Sequence, residues 1–228
     1  VKAITNFYRS SIGKKWIVAI SGLVLFGFVV GHMLGNLQIF LGQEQINRYA
    51  ETLQNLGELL WVIRGFLLLM IGLHIVNTIQ LTLENRAARP QKYAVKAHDA
   101  STLASRTMAI SGLIVLSFII FHLLHFTAQT IHPEWKTWHD AAGRHDVYSM
   151  VIVGFKNPAA SFFYLLGVGL LCLHLRHGIQ SMTQTLGGRT RNFAPLLSVA
   201  SPIIALILFL GYASIPVASL LGFLKPLH

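Results

Sequence analysis

The chain has one cysteine, Cys172, among 228 residues. That excludes an intrachain disulfide and any cysteine-based zinc or iron–sulfur site. Charge is also scarce. Asp, Glu, Lys and Arg together make up 11%, where a soluble domain carries about 25%. Hydrophobic residues reach 54% and mean hydropathy is +0.58. Such a chain cannot cover a soluble surface with polar groups, so it reads as an integral membrane protein. Acidic residues are scarcest, 8 against 18 basic. The pI near 10.1 follows from that imbalance, and no nucleic-acid partner is expected. Histidine is abundant: there are 11, several of them inside apolar segments.

Five long apolar stretches run roughly Trp16–Leu37, Leu59–Leu83, Thr107–Thr127, Phe162–Met182 and Leu196–Leu221. A helix needs about 20 apolar residues to cross a bilayer core of about 30 Å. Lipid satisfies no backbone hydrogen bonds, so each span must be a helix or part of a closed barrel. Continuous runs without period-2 alternation choose helices. The expected fold is an all-α integral membrane bundle of five transmembrane helices, one membrane domain over residues 1–228. Pro202 and Pro216 are expected to kink the fifth span. The first span follows Lys14 and Lys15 as a signal peptide would. It lacks a clear small-residue cleavage site and is expected to be retained.

Basic residues give orientation. Lys2, Arg9, Lys14 and Lys15 precede the first span. Arg86, Arg89, Lys92, Lys96 and Arg106 lie in the second connection, and Arg176, Arg189 and Arg191 at the fourth. Only Arg48, Arg64, Lys136, Arg144, Lys156 and Lys225 fall on the other side. The N-terminus is therefore expected in the cytoplasm and the C-terminus outside. Trp16 is expected at the inner interface, Trp61 at the outer one, and Trp135 and Trp138 in the long third connection beside it.

Spans one and three repeat each other. Residues 19–34 read AISGLVLFGFVVGHML and residues 109–124 read AISGLIVLSFIIFHLL. His32 and His122 hold the same place. Spans two and four share the frame L-H-x-x-x-x-I-Q, with His74 and His174 as its histidines. Two similar helix pairs about an axis along the membrane normal would set His32 opposite His122 and His74 opposite His174. At 1.5 Å per residue the two pairs sit roughly 14 Å apart in depth.

An ionisable side chain within a span points to function. Two facing imidazoles can ligate one planar metal cofactor from both sides, and haem fits best: it is apolar, large and accepts axial histidine. Zinc would want four ligands together, and the pairs are too far apart in depth for that. Two bis-histidine haems stacked across a bilayer would carry electrons between its faces. Gly27, Gly31 and Gly35 form a strip on span one that could leave room for a macrocycle or serve close helix packing. Gly72, Gly167 and Gly169 lie just before histidines and admit the same two readings. His125 and His177 lie three residues beyond their competitors and point in distinct directions; the repeats choose His122 and His174. His98, His132, His139, His145 and His228 fall in connections or the tail. Cys172 reads as a small apolar residue.

The segments SSIGKKWIVAISGLVLFGFVVGHMLGNLQIFLG, NRYAETLQNLG and SGLIVLSFIIFHLLHFT resemble the di-haem cytochrome b membrane-anchor subunits of succinate dehydrogenases and fumarate reductases. The resemblance covers nearly the whole chain. It implies two b haems, the one nearer the cytoplasm on His74 and His174, the outer one on His32 and His122. It implies a flavoprotein subunit, an iron–sulfur subunit docked on the inner face, and a membrane quinone (menaquinone or ubiquinone) as substrate. It implies a bacterial-type cytoplasmic (inner) membrane and leaves room for a higher oligomer of the complex. The basic inner loops suit an acidic partner or anionic lipid headgroups. The chain has no flavin or iron–sulfur motif and does no dicarboxylate chemistry itself.

Quinone chemistry moves protons as well as electrons, and a carboxylate near the site would relay them. Glu58, at the outer start of span two, is the best-placed acid, with Glu51 and Glu44 as alternatives; a solvated interfacial acid is the plain reading of Glu58. Haem propionates need cations. Arg106 could meet the inner haem and Arg64 the outer one, and either could equally be a snorkelling arginine. Competing readings are the cytochrome b of a hydrogenase, formate dehydrogenase or nitrate reductase, some of which put two histidines on one helix, and a proton-coupled transporter, which would show no haem absorption.

Overall fold

The computed structural model describes residues 2–88 and 103–227, the side chains of residues 2–4, 103–107 and 109 excepted. The chain is all-α, with five helices long and apolar enough to cross a membrane. A short α1 (Lys2–Arg9) leads into α2 (Ser11–Leu37). A 3₁₀ turn at Gln38–Leu41 follows, then α3 (Gln43–Gln54) and α4 (Glu58–Ala87). Next comes α5 (Leu103–His122), which continues as a π turn over Leu123–Thr127. A 3₁₀ turn at Pro133–Thr137 precedes α6 (Val147–Lys156), α7 (Pro158–Thr185) and α8 (Phe193–Leu220). The spanning helices are α2, α4, α5 with its π turn, α7 and α8.

Helix ends explain where the spans extend beyond the apolar runs. Span four starts at Pro158 because Asn157 caps it: the Asn157 side-chain oxygen accepts from the Ala159 and Ala160 N–H at 2.9 and 3.2 Å. Proline is well suited to a first helical position. Gly42, at φ 101°, sits between the 3₁₀ turn and α3, and Gly57, at φ 54°, precedes α4. Both lie in backbone territory that favours glycine. The fifth span is one helix through Pro202 and Pro216. Large apolar side chains are widely exposed, among them Trp61, Leu68, Leu113 and Phe162, as lipid-facing helices require.

Residues cluster into two compact units. Unit 1 comprises residues 1–28, 64–112 and 173–205; unit 2 comprises 29–63, 113–172 and 206–228. Unit 1 buries Ser21, Asn77, Ile179 and Ser201. Its buried Lys14 pairs with Glu84, joining α2 to α4. The Gln180 amide donates to Ser201 at 2.6 Å, joining α7 to α8.

Unit 2 holds a core that the hydropathy reading does not anticipate. Helix α6 is buried along most of its length, from Tyr148 to Ile152 and at Gly154 and Phe155. Its N-cap is Asp146, which accepts from the Ser149 N–H at 3.1 Å. Asp146 also accepts from Gln43 at 2.9 Å and from Asn47 at 3.1 Å, both on α3. Asn47 donates to Asp140 as well, and its carbonyl accepts from the Tyr148 N–H at 3.0 Å. Asp140 accepts from Arg144, and Arg144 reaches Glu44. This polar knot ties α3 to the connection before α7. Trp135, expected at an interface, is only 2% exposed. It packs against His125, Phe126 and His132, its ring parallel to that of His132 at 4.3 Å.

Candidate functional site

Each of the four spans singled out by the repeats contributes its histidine, and the histidines meet in two pairs. In unit 1, His74 on α4 and His174 on α7 have ring centres 6.3 Å apart at 64°. In unit 2, His32 on α2 and His122 on α5 lie 5.8 Å apart at 81°. A metal held between two imidazoles, with bonds of about 2 Å and about 1.2 Å from nitrogen to ring centre, sets the centres about 6.4 Å apart. Both pairs are close to that separation. Among the described residues no group of three or more His, Cys, Asp or Glu could hold an ion; the imidazoles come in twos.

The surroundings of each ring differ. His74 Nδ1 lies 3.2 Å from the Val18 carbonyl and 3.3 Å from the Ser21 hydroxyl. That leaves its Nε2 for a metal. His174 Nδ1 is buried with no hydrogen-bond partner among the described residues. No hydrogen bond through Nδ1 to a described residue commits the His174 ring elsewhere. His122 Nδ1 lies 3.4 Å from the Tyr164 hydroxyl, which also contacts His125 Nδ1 at 3.1 Å. His125 is 2% exposed, with its ring 4.1 Å from Phe126 and 5.3 Å from Trp135. Its hydrogen bond and its stacking account for its burial. His32 has Tyr212 at 6.3 Å, and the Tyr212 hydroxyl donates to the Val29 carbonyl at 2.6 Å.

The glycines divide. A Cβ at Gly35 would come within 2.6 Å of Tyr49, and one at Gly167 within 2.4 Å of Phe118; both serve packing. Gly27, Gly31 and Gly72 face open space. Two glycines that apolar patterning did not flag touch the histidines. A Cβ at Gly22 would lie 3.3 Å from His74 Cε1, and one at Gly112 would lie 3.7 Å from His174 Cε1. They occupy the same place in the 19–34 and 109–124 repeat. That identity was the signal, since it falls in the strictly shared AISGL start.

Glu58 is exposed in the first turn of α4, where the helix dipole favours an anion. Glu44 is committed elsewhere. Hydrogen bonds from Arg144 and then Arg48, against the opposing effect of burial, hold its carboxyl below the usual range. Arg64 is half-buried on α4. The Arg106 side chain, like His98 and His228, lies outside the described residues. Unit 2 also contains a cavity of about 270 Å³ lined by His125, His132, Glu134, Trp135, Trp138 and Asn157, among others. There His132 Nδ1 lies 3.0 Å from the Glu134 carboxylate.

Residues 82–211 match the model of the succinate dehydrogenase/fumarate reductase transmembrane subunit family. The chain belongs to that family. Comparison with curated proteins and with solved structures returns no match. The matched region holds all of α5 and α7 with His122 and His174. His32 and His74 precede it and join the site through the two pairings. As a succinate dehydrogenase/fumarate reductase transmembrane subunit, the chain is a multi-pass membrane protein that works within a larger complex. The four imidazoles fit haem: they are nitrogen donors paired between helices at separations near that of two imidazoles on one metal.

Proposed function

We propose that this chain is the di-haem cytochrome b anchor of a succinate:quinone oxidoreductase. His74 and His174 would hold one b haem, and His32 and His122 the other. The observation that carries this reading is the pair of ring separations, 6.3 and 5.8 Å, each between two helices. Haem, when bound, supplies reversible one-electron transfer. The chain's own residues do the rest. His74 points Nδ1 at Val18 and His122 points Nδ1 at Tyr164, which leaves Nε2 in each ring for iron.

The partners under this reading are a flavoprotein that handles the dicarboxylate, an iron–sulfur subunit at the cytoplasmic face, and a membrane quinone. The site is a bacterial-type inner membrane with the N-terminus inside. Arg64 and Arg106 are proposed propionate partners, and Gly31 is proposed to leave room for a macrocycle. Glu58 is proposed as the proton relay to quinone. The cavity beside His125 is a second place in unit 2 with aromatic walls and a His–Glu pair, so Glu134→Gln is the natural counterpart to Glu58→Gln. Membership in the succinate dehydrogenase/fumarate reductase family favours this reading over the cytochromes of hydrogenases, formate dehydrogenases and nitrate reductases.

The experiment is an optical and haem-content assay of the purified complex. Two haems per chain are expected, with His32→Ala and His122→Ala each removing the same one and leaving the His74–His174 haem. Colourless wild-type protein, or loss of both haems from every single change, would overturn the assignment.

A further inference from the structure

The Ser-Gly step repeated at 21–22 and 111–112 has no part in the pairing just described, yet in unit 1 it lies against both histidines. Ser21 is buried, and its hydroxyl donates to the Ile17 carbonyl at 2.6 Å. Its oxygen is therefore turned to His74 Nδ1 as an acceptor, alongside the Val18 carbonyl. Gly22 lets the ring come close: a Cβ there would stand 3.3 Å from His74 Cε1. At the equivalent place Ser111 donates to the Met108 carbonyl at 3.0 Å. His174 Nδ1 has no partner there, and Gly112 leaves ordinary contact distance. Two copies of one motif thus treat their histidines differently.

We propose that Ser21 is a positioning residue for His74, acting with the Val18 carbonyl to fix its tautomer and strengthen it as a donor, so that a metal held by His74 and His174 would have unequal ligands. The inference rests on the haem reading and goes beyond it. An acceptor at the distal imidazole N–H fixes ring orientation and raises ligand basicity. A more basic ligand favours the oxidised metal and lowers its potential. Removing the Ser21 oxygen leaves Val18 as sole acceptor, and the potential should rise. Removing the Ser111 hydroxyl takes nothing from His174.

The test is a spectroscopic redox titration of the purified, haem-loaded complex, with the His74–His174 haem identified as the one lost in His74→Ala. Ser21→Ala should raise the midpoint potential of that haem and alter its low-spin ferric EPR signal, leaving the other haem in place. Ser21→Thr, which keeps the hydroxyl, should restore both. Ser111→Ala should leave both haems at wild-type potentials. A second pair guards against misfolding of the alanine variant: Gly22→Ala should lower occupancy of this haem, while Gly112→Ala should not. Equal shifts from Ser21→Ala and Ser111→Ala, or no shift from Ser21→Ala at full haem content, would overturn the proposal. Haem-free wild type would instead remove the haem reading itself, and the inference with it.

Discussion

His125 and His122 lie three residues apart on one helix, and only their surroundings separate them. The π turn over Leu123–Thr127 carries His125 into a shell of Tyr164, Phe126 and Trp135. Such turns often mark functional positions in a helix; here it accompanies a histidine whose Nδ1 lies 3.1 Å from the Tyr164 hydroxyl. We expect His125→Ala to keep two haems per chain, by pyridine haemochrome assay. Its cost should appear as stability, about 1–3 kcal/mol for loss of a buried hydrogen bond. Loss of the His32–His122 haem from this change would transfer the ligand role to His125. Glu58 makes the opposite kind of case, since nothing buries it. Glu58→Gln should cut quinone reduction several-fold while succinate oxidation by an artificial dye persists. If quinone turnover is unchanged, Glu58 is a solvated surface acid, and Glu134→Gln at the His125 cavity becomes the variant to measure.

Among the helices, what could be read in the chain is what a membrane enforces. Lipid offers no hydrogen bonds, so spans declare themselves as apolar runs, and a histidine inside one is conspicuous. The repeat then pairs His32 with His122 and His74 with His174 without coordinates. Gly22 and Gly112 were present in the same repeat but give no apolar signal, and their role depends on rings from other helices. The α3–α6 knot was illegible for a related reason. Asn47 and Asp146 are 99 residues apart, and no local pattern links a polar residue in one connection to an acid in another. Trp135 was placed by the interfacial preference of tryptophan, which says nothing of the aromatic rings it packs against. The knot's worth can be measured. Asn47→Ala removes hydrogen bonds to Asp140, Asp146 and the Tyr148 N–H together. Loss of the acceptor for the buried Tyr148 N–H costs about 1–3 kcal/mol, and Asp140 and Asp146 each lose one of several partners. The variant should melt well below wild type in detergent, whereas Arg48→Ala, on an exposed ion pair, should barely differ.

At the scale of the molecule, three carboxyls of a chain with few acids, Glu44, Asp140 and Asp146, are held low within one knot. Asp140 is brought to about 2: burial opposes its ionisation, but hydrogen bonds from Arg144, Asn47 and two backbone N–H groups outweigh that. Asp146 is likewise lowered, burial being overcome by Ser149, Asn47 and Gln43. A carboxyl whose folded pKa is depressed binds fewer protons in the native state than in the unfolded state, so stability rises with pH through its titration range. The contribution is complete above about pH 4, where the unfolded carboxyls are ionised. It is lost as pH falls from there toward about 2 for Asp140. Thermal stability of the purified chain should therefore be level through neutral pH and fall across that acid window. Asp140→Asn should start lower at pH 7 and lose less on acidification. The His32–His122 pair lies in the same unit as the knot, so the band of the haem proposed there should fade in step with unfolding in that window. A wild-type profile with the same acid slope as Asp140→Asn would place the sensitivity in other carboxylates and reduce the knot to packing.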